Sequence, residues 1–421
     1  MTAWDAAAVS HFYRRAAFGA PLETLSWARS AGRMAALESV FALRETDAFL
    51  EKGIKSLLGL DEIEHLQSWW LAHMMSAKAP LVERVALMWH DHFATSNDKV
   101  DDVRLMHAHI ELLRTKGLGD FRELLHALTI DPAMLVWLDG IRNERGSPNE
   151  NFAREVMELF GLGIGNYTEQ DIGRAARALT GWKVTGRKAV FDAKRHEAGE
   201  WTIFGRGGVR SASDVVDRVL DHPACPAHIT RRLLQEFVTP KPTQEKIEHW
   251  SKVLLEVDWN IERFLEQLLL SDDFIQPEAR RSRIAGPVEL AIGTMLSLEA
   301  EPPPRSVNSA CSKMGQSLFR PPSVKGWDGG RSWIHAGHWL ARHEVLTRFA
   351  FDDGVDLVQA CGSPTEAAHV PSACLNLLLS QVDCPELQVA LNEAASESES
   401  VETAVRECVA RILTSPHYHL V

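Results

Sequence analysis

Residues 146–181, GSPNENFAREVMELFGLGIGNYTEQDIGRAARALTG, constrain the fold more than any other stretch, because they read as two capped helices joined by a glycine-rich connector. Ser147, Pro148 and Glu150 stand where an N-cap, a first helical residue and the third residue of a capping box belong. The helix that follows projects Phe152, Val156, Leu159 and Phe160 onto one face, a spacing that buries well. Asn151, Glu155 and Glu158 fall on the flank of that face, since steps of three and four bring side chains into one column. Carboxylates and an amide thus sit at the edge of a core. Gly161, Gly163 and Gly165 stop the helix, with no preceding strand and no following lysine to make them a phosphate loop. Thr168 and Asp171 then open a helix that buries Ile172, Ala176 and Leu179 and exposes Arg174 and Arg177, which can balance Glu155 and Glu158 in a structural ion-pair network.

The helical period recurs along most of the chain. HFYRRAAFGAP, from His11 to Pro21, and the spacing from Leu25 to Leu50 predict a helical lobe. Arg14 and Arg15 in it can bind an anion; the plainer reading is that they cap a helix or pair with surface acids. PLVERVALMWHDHFAT, from Pro80 to Thr95, is a helix opened by proline, with His92 inside an apolar stripe of Val85, Met88 and Trp89 while His90 points nearly the other way. His92 is therefore a candidate general base, metal ligand or core histidine, and a two-residue spacing does not bring it and His90 onto one ion.

Between Trp182 and Val209 the composition turns to valine, aromatic residues, threonine and glycine, predicting a β-hairpin or small meander inserted in a helical protein. Asp192, His196 and Glu197 lie on its connecting loop. If His196 and Asp192 fold over Glu155 and Glu158 with His92 below, the group would bind one divalent cation or supply acid and base for hydrolysis. Helices return from Ser211 to Phe274 and from Ile284 to Leu298, and EPPPRSVNSA reads as a linker or long turn. RPPSVKGWDGGRSWIHAGHW is a loop dense in proline, glycine and tryptophan that either packs across the helices or, the preferred reading, closes a pocket with Lys325 and Trp327 in its wall. Beyond Phe351, NEAASESESVE reads as an exposed linker before a last helix.

The 421 residues suffice for a substantial core, and the 45% hydrophobic and 24% charged fractions are those of an ordinary globular protein. A net charge of −12 argues against a general nucleic-acid or anionic-membrane binder. No apolar run is long enough to span a membrane, and MTAWDAAAVSHFYRR has no signal-peptide core, so the chain as given reads as cytoplasmic unless a leader has been trimmed. The six scattered cysteines form no CxxC pair and read as free thiols in a reducing compartment.

In order along the chain, FYRRAAFGAP, WHDHFATS, DPAMLVWLDG, PNENFAREVMELF, GLGIGNYTEQD, AARALTGW, FDAKRHEAG and RPPSVKGWDGG resemble the large bacterial family called domain of unknown function 1800. The resemblance runs from about His11 to beyond Arg342. It implies a protein without an agreed activity, whose relatives are mostly bacterial, in many cases exported, and often encoded beside a sulfatase-like protein, the partner it suggests. Three words depart from the family pattern: Gly161 stands where threonine is common, Glu197 and Trp201 stand at the aspartate and lysine of HDxGxKT, and Gly326-Trp327-Asp328-Gly329-Gly330 replaces GWPGG.

These readings converge on a mainly α-helical protein, a large helical globular domain with a small β-hairpin insertion. Residues 1–350 form the family domain, with the insertion near 182–209, and 351–421 a C-terminal helical extension packed on it. One functional class is a hydrolytic enzyme, with or without an assisting metal, with His92, Glu155, Glu158 and His196 as catalytic groups and Asn151, Arg154, Lys325 and Trp327 binding substrate. The other is a non-catalytic binding or assembly protein acting with a partner. The residues name no cofactor, and none is assigned to a dedicated metal site.

Overall fold

Short helices, most stopped by their own end signals, account for most of the computed structural model, which describes residues 3–42, 48–76, 78–380 and 384–421. Part of the helical stretch expected over 25–50, residues 43–47, lies outside the described residues. Aspartates cap successive helices: Asp102 before Val103–Lys116, Asp120 before Phe121–Thr129 and Asp131 before Pro132–Trp137 each accept a backbone N–H of the first turn. Thr168 and Asp171 form the reciprocal capping box that the sequence predicts for Glu169–Ala178. Such caps satisfy the orphan donors locally and let helices of about three turns stack in many directions.

The helix expected at Ser147 starts later. Asn149 is its N-cap, accepting from the Asn151 N–H, and Ser147 instead closes a tight turn by donating its N–H to the Glu144 carbonyl at 2.9 Å. From Val156 to Leu162 the Glu150–Glu155 helix widens into a π-helix, closed by Gly163 N–H on the Glu158 carbonyl at 2.9 Å. The single α-helical column expected for Asn151, Glu155 and Glu158 is therefore broken at its last member.

The insertion is two separate antiparallel hairpins, β1 (Trp182–Thr185) with β2 (Lys188–Phe191), and β3 (Trp201–Ile203) with β4 (Arg206–Val209). Each turns through two residues of positive φ, Gly186-Arg187 and Phe204-Gly205, the backbone that matches the right-handed twist of paired strands. Two linkers expected from composition are helical. EPPPRSVNSA enters the Pro304–Lys313 helix, whose first residue is one of the prolines that suggested a linker, and NEAASE belongs to Pro385–Glu397, with Leu391, Ala394 and Ala395 buried at helical spacing.

The core is contiguous and rich in aromatics, with Trp70, Trp89, Phe93, Phe121 and Phe160 among its largest fully buried side chains. The last residues are built into it. His419 and Val421 carbonyls accept from Ala285 and Arg283 N–H at 2.8 and 3.1 Å. Arg15, fully buried, spreads its guanidinium over the Glu236 and Val421 carbonyls and the Ser282 hydroxyl at 2.7, 2.9 and 3.0 Å. Arg14 donates to the Tyr418 carbonyl at 2.8 Å. These arginines thus hold backbone carbonyls rather than surface acids. Among the described residues, no helix is long and apolar enough to cross a membrane.

Candidate functional site

The Pro80–His92 helix ends in Trp89-His90-Asp91-His92, and its last three side chains go to three different places. His90 is fully buried; its Nε2 accepts the Phe319 N–H at 3.0 Å, and its ring packs edge-on against Trp70 and Trp327. Burial, then the field of His109, lowers its pKa to about 3. Asp91 accepts the Trp327 N–H at 2.8 Å and an Arg232 N–H at 2.9 Å. His92 donates Nε2–H to the Phe160 carbonyl at 3.2 Å.

That carbonyl belongs to the last turn of the π-helix, and its neighbour, the Leu159 carbonyl, takes the Nε2–H of His228 at 2.8 Å. Terminal carbonyls of a helix lack intrahelical partners, and here two histidines supply them. The bonds fix the tautomers, leaving each Nδ1 as the basic nitrogen. Burial, the charge of its neighbour His228 and Arg232 push His92 well below its ordinary pKa, so it stays neutral at physiological pH. His228 is lowered by burial as well.

Beneath these rings lies a lattice of buried charge. Glu236 meets Arg84 at 2.6 Å and Arg232 at 3.1 Å, and Arg283 meets Glu289 at 2.7 Å; Arg84 also pairs with Glu289. Burial alone would raise both glutamates, but Arg283 and Arg84 overcome it and hold both below the usual carboxylate range. Asp91, with fewer cations around it, is raised by burial despite Arg232.

Above the lattice opens a cleft of about 620 Å³, walled by the loop that carries Lys325 and Trp327. Six cations line it, Arg231, Arg232, Lys241, Arg283, Lys325 and Arg331, against three acids, Asp91, Glu236 and Asp328. Asp91 and Glu236 are already engaged by arginines. Arg231, Lys241, Lys325 and Arg331, in contrast, have no acid within ion-pair distance among the described residues. His92, His228, Trp327 and Trp333 complete the lining.

Of the residues singled out from the sequence, the structure brings His92, Lys325 and Trp327 together in this cleft. Glu155 is half-buried nearby. Burial and Glu158 raise its carboxyl, and Arg154 and Lys325 oppose the rise. Glu158 accepts the Tyr167 hydroxyl. Arg154 turns away from the cleft to grip Glu169 with two 2.8 Å contacts, and Asn151 donates to the Leu138 carbonyl at 3.2 Å.

His196 stands apart. Its Nδ1 donates to the Thr180 carbonyl at 3.0 Å and its ring packs on Phe191, while Asp192 pairs with Lys183 at 2.9 Å. Among the described residues, no hydrogen bond or ion pair joins His196 or Asp192 to Glu155 or Glu158. Arg174 and Arg177 do not balance those glutamates either, since they reach the Thr202 carbonyl and Glu197 in the β insertion. The expected gathering of all these groups around one cation is thus not what the chain builds. Among the described residues, no three His, Cys, Asp or Glu side chains converge as metal ligands would.

Sequence reasoning missed Asp91, His228, Arg232, Glu236 and Arg283. One signal was present: His228, Arg232 and Glu236 recur every four residues on a helix whose Ile229, Leu233 and Phe237 are buried, a polar stripe beside an apolar one.

A family model described as "Protein of unknown function (DUF1800)" matches residues 11–420, and the chain belongs to that family. No curated protein and no solved structure matches it significantly.

Proposed function

We propose that the chain binds a small anionic ligand in the cleft beneath the Lys325–Trp327 loop. The observation that carries this reading is the charge imbalance: six cations against three acids, two of them already engaged by arginines, in a protein whose net charge is −12. Cations without counter-charges in a concave site focus a positive field, and a ligand with carboxylate, phosphate or sulfate groups supplies what is missing. Trp333, part-exposed in the lining, offers an apolar ring to the rest of such a molecule.

Titration of inorganic phosphate, sulfate and citrate, followed by tryptophan fluorescence and calorimetry, tests this. Saturable binding of at least one anion is expected, weakened about tenfold or more in the Lys325→Ala/Arg331→Ala double variant, and weakening with added salt. Absence of saturable binding by all three, or equal affinity in the double variant, would overturn it.

A hydrolytic reading of the same cleft is favoured by one further feature, the neutral His92 whose Nε2 is engaged and whose Nδ1 remains a base. There Nδ1 would take a proton from water beside the bound ester and return it to the leaving group. A p-nitrophenyl phosphate or sulfate assay in which His92→Ala abolishes turnover but retains anion binding would support it. A non-catalytic assembly protein acting with a sulfatase-like partner shares the binding step and shows no turnover.

A further inference from the structure

The C-terminal helices collect three of the six cysteines in one buried place, remote in sequence from the cleft. Cys361 follows the Leu357–Ala360 helix, Cys374 lies within Val370–Leu378, and Cys408 within Val401–Thr414. All three are almost fully buried. Cys374 Sγ stands 3.6 Å from Cys361 Sγ, donating its S–H to that sulfur. Cys408 instead gives its S–H to the Leu391 carbonyl at 3.5 Å.

We propose that Cys361 and Cys374 are a thiol–disulfide site, oxidised by small disulfides of the glutathione class. Van der Waals contact between two sulfurs is the geometry from which an S–S bond closes with side-chain rotation and little backbone motion. Both cysteines are held by ordered backbone. The Cys361 N–H bonds the Leu357 carbonyl at 3.0 Å, Gly362 turns the chain at φ +80°, and Cys374 sits inside a helix. The pair thus has a high effective concentration, while Cys408 is committed elsewhere.

The chemistry balances. The Cys361 thiolate attacks one sulfur of the small disulfide, breaking its S–S bond and releasing one small thiolate, which takes up a proton. Cys374, held protonated by its bond to Cys361 and by burial, then loses its proton and attacks the Cys361 sulfur. The second small thiol leaves, and the two electrons reside in the pair of thiols released. Because the site is buried, exchange occurs during folding or local opening.

The test refolds the whole chain from urea in graded reduced and oxidised glutathione, traps free thiols by alkylation and maps the peptides. One bridge linking Cys361 to Cys374 is expected, with the loss of two hydrogens. It should persist in Cys408→Ser, be absent from Cys361→Ser, and raise the melting midpoint by about 3 °C. A dominant bridge to Cys408, or six alkylated thiols throughout the series in protein with native circular dichroism, would overturn the proposal. Mapping of the unmutated chain decides the matter even if a serine variant fails to fold.

Discussion

Gly326→Ala is the sharpest probe of how the cleft wall is held. A Cβ at Gly326 would lie 2.3 Å from Asp91 Oδ1 and 2.4 Å from the Asp91 carbonyl oxygen, and the residue sits at φ +78°. Because one of those atoms is backbone, the loop must withdraw, and it takes with it the 2.8 Å bond from Trp327 N–H to Asp91. Left-handed backbone costs an alanine about 1 kcal/mol, and a lost hydrogen bond to a charged group about 2 kcal/mol. An unfolding entropy of roughly 2.1 cal/mol/K per residue amounts to about 0.9 kcal/mol/K for this chain, so a total near 3 kcal/mol lowers the melting midpoint by about 3 °C. Gly330→Ala in the same loop separates strain from collision, since its φ is +53° but no atom lies within 4 Å of its Cβ. That variant should lose about 1 °C. Hydrogen exchange over residues 321–333 reads the withdrawal directly, and Gly326→Ala should exchange the Trp327 amide faster while Gly330→Ala leaves it protected. Equal midpoints for the two variants, or an unchanged Trp327 amide in Gly326→Ala, would refute the close contact with Asp91 as the latch.

Two further perturbations examine the electrostatics. His90 has its pKa lowered from 6.5 to about 3, so the unfolded chain takes up the proton first, and stability falls as pH drops from 6.5 towards 3. His90→Gln should flatten the slope of urea-derived unfolding free energy over the acid limb by about 1.4 kcal/mol per pH unit, and an unchanged slope would contradict the buried neutral ring. Arg154→Ala removes a pair with the largely exposed Glu169, so the urea unfolding midpoint should stay close to that of the unmutated chain; a large drop would show that Arg154 has a structural role beyond this pair.

The helical character was legible because its signals are local. The Thr168–Asp171 capping box and proline at the first turn of Pro80–His92 are written within four residues of the helix ends they make. The π-helix was not, because it depends on atoms brought from elsewhere: His92 and His228 bind its last carbonyls, and Val219 Cγ1 lies where a Gly161 Cβ would need to be, 2.2 Å away. Likewise, Pro304 marks a linker or a first helical turn equally well until Val307 and Cys311 are seen to be buried. For the site, His92, Lys325 and Trp327 could be found one by one, each in a distinctive word. Their grouping could not, since Asp91 reaches across the chain to both Trp327 and Arg232. His196 misled because a histidine on a hairpin loop looks the same whether it faces a site or, as here, ties the loop to Thr180.

The buried arginines under the cleft are a costly way to hold helices together, since apolar side chains of similar volume often do so more cheaply. Their arrangement suggests what that cost supports. Arg84 joins Glu236 to Glu289, and Arg283 joins the same two acids, so each glutamate is held by two guanidinium groups. Arg232, on the helix that carries His228 and Glu236, ties this lattice to Asp91, and Asp91 in turn holds the backbone of the cleft wall at Trp327. The lattice therefore fixes the floor and one wall of the cleft, while the cations without counter-charges, Arg231, Lys241, Lys325 and Arg331, line it above. A wall held in this way lets the cations above it meet an anion without reorganising the backbone around it. An apolar core at the same place would hold the helices equally well but would leave the unpartnered cations of the rim without a fixed floor to act against.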